Sequence, residues 1–370
     1  MQYTPPVIGL LAIPGVLVIA FTLWDAFETM ILPRRVSRRI KFTRWFYKYT
    51  WQPYSAMCRR ISRQELRESI LSFYGPASFL VLLALWAILL VIGFALVFRA
   101  IDFTLEGSRQ TAHLGTDLYF SGTTFFTLGL GDVSSHGAFG RTLTVIEAGV
   151  GFGFLALVIG YFPVLYQAFS RREVHISLLD ARAGSPPTAM GLFTRYNLSA
   201  RSHDLDNLMA SWEQWAAELL ESHLSYPQLG YFRSQHDRQS WVAALCCILD
   251  ANAVLIALAG EATARPFQLA FAMARHTAVD LGHTFGRAAL KDTRNRLPEP
   301  DLKRMREALG VAWPAGAAGD EVERRLNELR AGYESDIGRI SERLLMPLPP
   351  WFPDAGLQDD WETGLPTATD

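Results

Sequence analysis

The sequence is poor in cysteine. Cys58, Cys246 and Cys247 are the only three in 370 residues. Neither their number nor their spacing makes a disulfide framework or a metal knot, so reduced, structural thiols are expected. The chain also lacks a charge excess. Its 35 basic and 36 acidic side chains leave a net charge of −1, which is not a nucleic-acid-binding balance, and no nucleic-acid partner is expected. No series of strands is visible, and no Gly-x-Gly-x-x-Gly follows one, so a nucleotide-binding regulatory domain is not expected. Nothing assembles a catalytic triad or a phosphate-binding loop. An enzyme is not expected, and no organic cofactor is implied.

Apolar residues, by contrast, make up 50% of the chain, and they are gathered rather than spread. Runs at 7–24, 76–98 and 143–166 each approach the ~20 residues that cross a bilayer as a helix. The first run has no basic leader. Trp24, Asp25, Phe27 and Glu28 stand where a small-residue cleavage site would be, so residues 1–32 are read as a retained N-terminal transmembrane helix. No run carries a row of regularly spaced arginines, which argues against voltage sensing of the usual kind.

Charge orients the runs. Arg34, Arg35, Arg38, Arg39, Lys41, Arg44, Lys48, Arg59, Arg60, Arg63 and Arg67 lie between the first two, with Glu65 the only acid among them. Arg171 and Arg172 follow the third run. The intervening loop has few bases and carries Asp102, Glu106, Asp117 and Asp132. The positive-inside rule then places the N-terminus outside, residues 33–68 inside and the C-terminal half in the cytoplasm. Three spans and one re-entrant loop satisfy it.

The loop holds the most informative stretch, Thr127-Leu128-Gly129-Leu130-Gly131-Asp132, led in by Thr116–Phe126. Alternating glycines after a threonine let an extended backbone turn successive carbonyls toward one axis. Four such strands would replace the water shell of a monovalent cation. The following run opens Phe139-Gly140-Arg141 and continues Glu147-Ala148-Gly149-Val150-Gly151-Phe152-Gly153-Phe154-Leu155-Ala156. Over residues 70–172 the chain resembles the pore domain of the potassium-channel superfamily, in particular small prokaryotic pore-loop channels with two core helices per subunit.

That resemblance implies an all-α membrane protein. It would be a tetrameric pore-loop channel with an additional N-terminal transmembrane helix and a cytoplasmic α-helical domain. It implies a homotetramer in the bacterial inner (plasma) membrane, with K⁺ ions held by Thr127, Leu128, Gly129 and Leu130, and Gly131 and Asp132 completing the filter. Asp132 would attract cations, tie the filter to the pore helix, or simply be a solvated carboxylate. Leu130 departs from the usual aromatic and can pack but not hydrogen-bond. Phe126 departs from the small hydroxyl residue common before the filter threonine. A poorly selective monovalent cation channel, or a non-conducting receptor or scaffold with a channel-like fold, are the alternatives. Thr124 and Glu147 are read as pore supports. Gly151 is either an inner-helix hinge or a close-packing residue. Phe152, Leu155 and Ile159, with Gly160 and Pro163 below, would line the cavity and gate.

Outside the pore, residues 33–69 mix bases with aromatics and read as an interfacial segment. Its 34–67 stretch would meet anionic lipid headgroups on the cytoplasmic side, or else pack on the C-terminal domain. Residues 173–200 read as a linker. Helical periodicity marks a regulatory or assembly domain over 201–346, with helices expected near 203–224, 237–260, 265–286, 299–310 and 319–346. The Pro-rich acidic tail, 347–370, is expected to be extended or disordered. Residues 241–259 approach span length, but Asp250 and Asn252 at their centre favour the buried helix of a soluble bundle. His223, Tyr226, Arg233, His236 and Asp237 form a polar-aromatic cluster suited to an unknown cytoplasmic ligand or a subunit contact. His276, Asp280 and His283 share one helical face; they would bind a metal with a further donor, or form a solvated face.

Overall fold

The computed structural model describes residues 9–32, 42–100, 113–196, 203–236, 238–259, 264–285 and 295–354. The described residues are helical and contain no strand element. They form two compact units. Unit 1 comprises Met1–Tyr54 and Pro76–Tyr166, and unit 2 comprises Ser55–Gly75 and Gln167–Asp370. The bases from Arg34 to Lys41, and Asp102 and Glu106, lie outside the described residues.

The N-terminal run forms helix α1, Ala12–Met30, and part of the basic-aromatic segment forms α2, Phe42–Cys58. The second run lies in α3, Gln64–Ala100. A short α4, Leu114–Phe125, precedes the filter stretch, and the third run lies in α5, Gly137–Ala183. In unit 1, α1 and α3 meet at glycine. A Cβ on Gly15 would lie 2.8 Å from the Gly93 carbonyl oxygen, and one on Gly93 would lie 2.7 Å from Ile19 Cγ1. Small residues let apolar helices approach where water provides no drive for association. The buried Asp25 carboxylate ties three helices, accepting from Thr43 Oγ1 at 2.8 Å and Trp86 Nε1 at 3.1 Å. Arg34 and Arg35, its sequence neighbours in charge, are not described.

Helix α4 is wedged between α3 and α5 by two apolar clusters. Phe94, Phe98 and Phe120 form one, with Ile19, Leu143 and Val150 against them. Ala87, Leu90 and Phe125 form the other, with Val91, Val150 and Phe154. Four buried aromatic rings, Phe94, Phe98, Phe120 and Phe125, bury enough apolar area to hold a helix of only 12 residues that would be marginal alone.

Unit 2 corrects the linker expectation. Residues 173–183 continue α5, and α6, Ala189–Tyr196, buries Ala189, Met190, Gly191, Leu192 and Phe193. Helices α7, His203–Ser225; α8, Trp241–Leu258; α9, Arg265–Phe285; and α10, Glu299–Leu309, follow the expected periodicity. The helix expected over 319–346 is two helices, α11, Ala317–Ala331, and α12, Glu334–Leu344. The break at Gly332-Tyr333 has a cause. Tyr333 is fully buried and donates its hydroxyl to Asp250 Oδ1 at 2.6 Å.

Helix α8 is buried from Trp241 to Ala257. Ser240 caps it, accepting from the Ala243 N–H at 3.0 Å, which fixes its start. Asp250, 1% exposed, is matched at mid-helix by Arg296, whose Nη2 and Nη1 lie 2.6 and 3.1 Å from its oxygens. A buried carboxylate is tolerable only when paired and hydrogen-bonded in this way. The first residues of the tail also pack. Trp351 is 2% exposed, its carbonyl accepts from the Met190 N–H at 3.1 Å, and Arg296 and Arg330 lie over its ring. Residues 355–370 of the tail are outside the described residues.

Candidate functional site

The filter stretch leaves α4 by folding back over the helix end. Phe126 N–H donates to the Gly122 carbonyl at 3.0 Å, Thr127 N–H to Thr124 at 3.0 Å, and Leu128 N–H to Thr123 at 2.8 Å. Thr124 thus supports the stretch through its carbonyl. The backbone then alternates. Thr127, Gly129 and Gly131 have φ of 56°, 56° and 78°, whereas Leu128 and Leu130 do not have positive φ. A left-handed residue at every second position rotates alternate peptide planes, which brings successive carbonyls to one side of the strand. Glycine adopts this freely. Threonine, being β-branched, does not, and such strain persists where the surroundings impose it.

The stretch is anchored at its outer end. Tyr119, on α4, donates its hydroxyl to Asp132 Oδ2 at 2.9 Å. Of the roles considered for Asp132, the tie to the preceding helix, α4, is therefore the one with a visible partner. Ser135 and Thr144 hydroxyls, 3.0 Å apart, fasten the following loop to α5. Beside α4, Ser121 Oγ donates to the Val91 carbonyl at 2.8 Å and bonds the fully buried Glu147 carboxyl. Glu147 thus joins α5 to α4 rather than facing open space. Leu128 and Leu130 have no such tie and are 62% and 63% exposed.

Gly151 has a definite steric role. A Cβ there would sit 1.9 Å from the Phe125 carbonyl oxygen, so α5 approaches the end of α4 only because this side chain is absent. Gly149, Gly153 and Gly160 have open space at the same position. Phe152, Leu155 and Ile159 are exposed on the chain, as are Gly160 and Pro163. Only 11% of the apolar window of α5 is buried within the chain, against 50% for α3.

In unit 2 the expected ligand cluster divides. His223 is fully buried beside Trp241, with Nε2 3.3 Å from Arg172 Nη1 and Nδ1 2.9 Å from the Leu219 carbonyl oxygen. Burial, reinforced by Arg172, pulls its pKa well below the ordinary value of 6.5. Arg172 itself is 3% exposed. It donates to the Leu229 and Phe232 carbonyls, each at 3.0 Å, and pairs with Glu173. His223 is therefore corrected from ligand candidate to packing residue, because a protein guanidinium already occupies its face. Tyr226 caps a short 3₁₀ turn, Pro227–Tyr231. Asp237 is outside the described residues. Arg233 and His236 do line a polar cavity of about 290 Å³, together with residues of α3 such as Glu65 and Glu68. The α3 contribution was missed in the sequence, where those residues read as part of an interfacial segment.

The metal reading is also corrected. Among the described residues no group of three or more His, Cys, Asp and Glu side chains is placed to hold a metal ion. Thr277, Ala278, Leu281 and Phe285 turn inward on α9, which leaves His276 and His283 exposed on the opposite face without a further donor.

Residues 81–167 match a family described as "Ion channel". The matched segment holds the filter stretch, α4 and the apolar parts of α3 and α5, and it points to a channel rather than an enzyme. The chain is similar to the uncharacterized membrane protein YdjJ of Bacillus subtilis (strain 168), with 24% identity over 254 residues, covering 68% of this chain and 72% of that protein. No solved structure matches. Residues 81–167 are thus similar to an ion-channel family, and the helices that flank them are long and apolar enough to cross a membrane.

Proposed function

We propose that the chain forms a homotetrameric, potassium-preferring channel whose filter is Thr127–Asp132. The observation that carries this reading is the alternation of left-handed backbone at Thr127, Gly129 and Gly131, in a loop held at its outer end by Tyr119 and backed by Glu147. One such strand cannot surround an ion, whereas four can replace its hydration shell with carbonyls. The C-terminus of α4 also points its partial negative charge toward this stretch, which favours cations. The uncovered face of α5, bearing Phe152, Leu155 and Ile159, supports assembly with other copies, because large exposed apolar surfaces mark protein or lipid contacts. On this reading those side chains, with Gly160 and Pro163, form the cavity and gate. Basic residues between α1 and α3 support a cytoplasmic position for unit 2 and contact with anionic lipid in a bacterial inner membrane.

A second reading, a weakly selective monovalent cation channel, is favoured by Leu130. That side chain has no hydrogen-bonding group to hold the filter at a fixed width.

The test is reversal potential in potassium–sodium gradients, using purified tetramers in planar bilayers. A potential near the potassium value supports the selective reading, and one near zero the weakly selective one. Gly129→Ala is expected to abolish current while leaving assembly intact. Its Cβ meets nothing within 4 Å in the chain, yet φ is +56°, so the substitution disturbs the backbone and not the packing. Normal current through that variant would remove the pore assignment.

A further inference from the structure

The polar cavity in unit 2 has a composition that selects its occupant. Ligand sites are mostly apolar with a few placed polar groups, but here every lining residue is polar or charged. One wall is the first two turns of α3, with Glu65 and Glu68. The other is the loop after Phe232, with Ser234, His236, Arg238 and Gln239. Ser234 Oγ and Gln239 Oε1 are buried there without a hydrogen-bond partner among the described residues. Buried polar atoms left unsatisfied are costly, and each calls for an explanation. The side chains of Glu65, His236 and Arg238 make no ion pair or hydrogen bond among the described residues.

The remaining charges act as scaffold. Arg233 donates to the carbonyls of Leu344 and Leu345, at 2.6 and 3.0 Å, and pairs with Glu68 at 3.4 Å. The loop is thereby fixed on the end of α12, while Glu65 and Arg238 stay free. Two glutamates against two arginines leave the lining balanced. A purely anionic ligand would face uncompensated carboxylates, and a purely cationic one the guanidinium. A molecule carrying one charge of each sign satisfies both walls.

We propose that this cavity is a regulatory site for a small zwitterion of the α-amino-acid class. Its carboxylate would be answered by Arg238 and His236, its ammonium by Glu65, and its polar atoms by Ser234 and Gln239. The binding step stands on the cavity alone; the regulatory step rests on the channel reading. The loop begins at Phe232, whose carbonyl accepts from Arg172 of α5 and whose ring presses on Gly75 of α3, where a Cβ would meet it at 2.8 Å. Occupancy that moves the loop therefore acts directly on a residue of the helix that carries the pore-lining face. A ligand shifts that equilibrium only as far as its affinity differs between the two states.

The test uses the full-length chain in lipid nanodiscs and isothermal titration calorimetry with each standard L-amino acid. Inorganic phosphate and ethylamine serve as single-charge controls. Saturable binding of at least one amino acid, with neither control binding, is expected. Glu65→Gln and Arg238→Gln lie on exposed side chains and are each expected to weaken that binding about tenfold or more, as loss of a charge-assisted bond does. Potassium flux from liposomes should change with the bound amino acid, and not in the two variants. No amino acid binding, binding of phosphate alone, or binding insensitive to both variants overturns the site. Binding with unchanged flux in a conducting preparation overturns the regulation. Absence of any conductance would count against the channel reading instead, with calorimetry still deciding the site.

Discussion

Helices α5 and α8 are both long and apolar enough to cross a bilayer, yet 11% of the apolar window of α5 is buried within the chain against 94% of that of α8. The difference lies in what surrounds them. Around α8 the chain supplies α6, α9, α11 and α12, and the one carboxylate at mid-helix has Arg296 and Tyr333 waiting for it. Around α5 it supplies the end of α4, at Gly151, and the phenylalanines of α3, while Phe152, Leu155 and Ile159 stay exposed among the described residues. Apolar length identifies a helix that avoids water. The partners of its polar residues distinguish a helix that avoids water inside protein from one left for lipid or other copies.

The comparison breaks most sharply at Arg296. Arg296→Ala leaves Asp250 buried and unpaired, which typically costs about 3–5 kcal/mol. Unit 2 should lose that much stability in denaturant unfolding followed by tryptophan fluorescence. A helix that instead faced lipid at Asp250 would show little change, so a small effect would erase the contrast.

Gly151→Ala strikes the covered edge of α5. The added methyl group must displace the Phe125 backbone, and overpacking of this kind costs about 1–3 kcal/mol or more. The expected result is a lower melting temperature in nanodiscs and reduced current. Gly149→Ala and Gly153→Ala, with open space at their Cβ positions, should be close to neutral for packing. Equal effects at all three sites would show that the contact with α4 is not what Gly151 provides.

A smaller effect comes from His223. Its folded pKa is depressed by burial and by Arg172, so the unfolded chain binds the proton first as pH falls. The neutral form's contribution is fully present above the unfolded value of 6.5 and is lost as pH falls from there toward the depressed folded value. Unit 2 should therefore lose stability in mild acid, measured as melting temperature against pH. His223→Gln should flatten that part of the profile. An unchanged profile in the variant would assign the acid sensitivity to other groups.

How much of this was legible in the sequence follows from the range of each signal. The alternating backbone at Thr127, Gly129 and Gly131 was legible because its cause is local, a threonine and two glycines in alternation. Helix α8 was legible because Asp250 and Asn252 stand inside its own apolar run. The break between α11 and α12 was not legible. Its cause is the bond from Tyr333 to Asp250, residues remote in sequence, and helical periodicity continues across Gly332. The linker reading failed similarly. Gly184-Ser185-Pro186-Pro187 does interrupt the chain, but the flanking residues 173–183 and 189–196 are helical and carry their own packing. The cavity was half visible. Arg233 and His236 stood out among aromatics, whereas Glu65 and Glu68 belong to a stretch whose arginines dominated its reading. His223, for its part, looked like a ligand group because sequence does not show that Arg172 already faces it.

The glycine contact between α1 and α3 has a genetic consequence. The two members are not equivalent. A methyl group on Gly93 collides first with a side-chain atom, Ile19 Cγ1 at 2.7 Å, its nearest backbone contact being the Gly15 carbonyl oxygen at 3.2 Å, while one on Gly15 meets the Gly93 carbonyl oxygen at 2.8 Å as well as Val97 Cγ2 at 2.8 Å. A truncation can remove a side chain, but no substitution removes a carbonyl. Second-site suppressors of Gly93→Ala should therefore arise at Ile19, with Ile19→Ala restoring the amount of folded protein in the membrane. Gly15→Ala should yield no single suppressor at position 93. A selection for restored expression, run in parallel on both parents, would reveal the asymmetry, and equal suppressor yields from the two would show that the helices can slide apart.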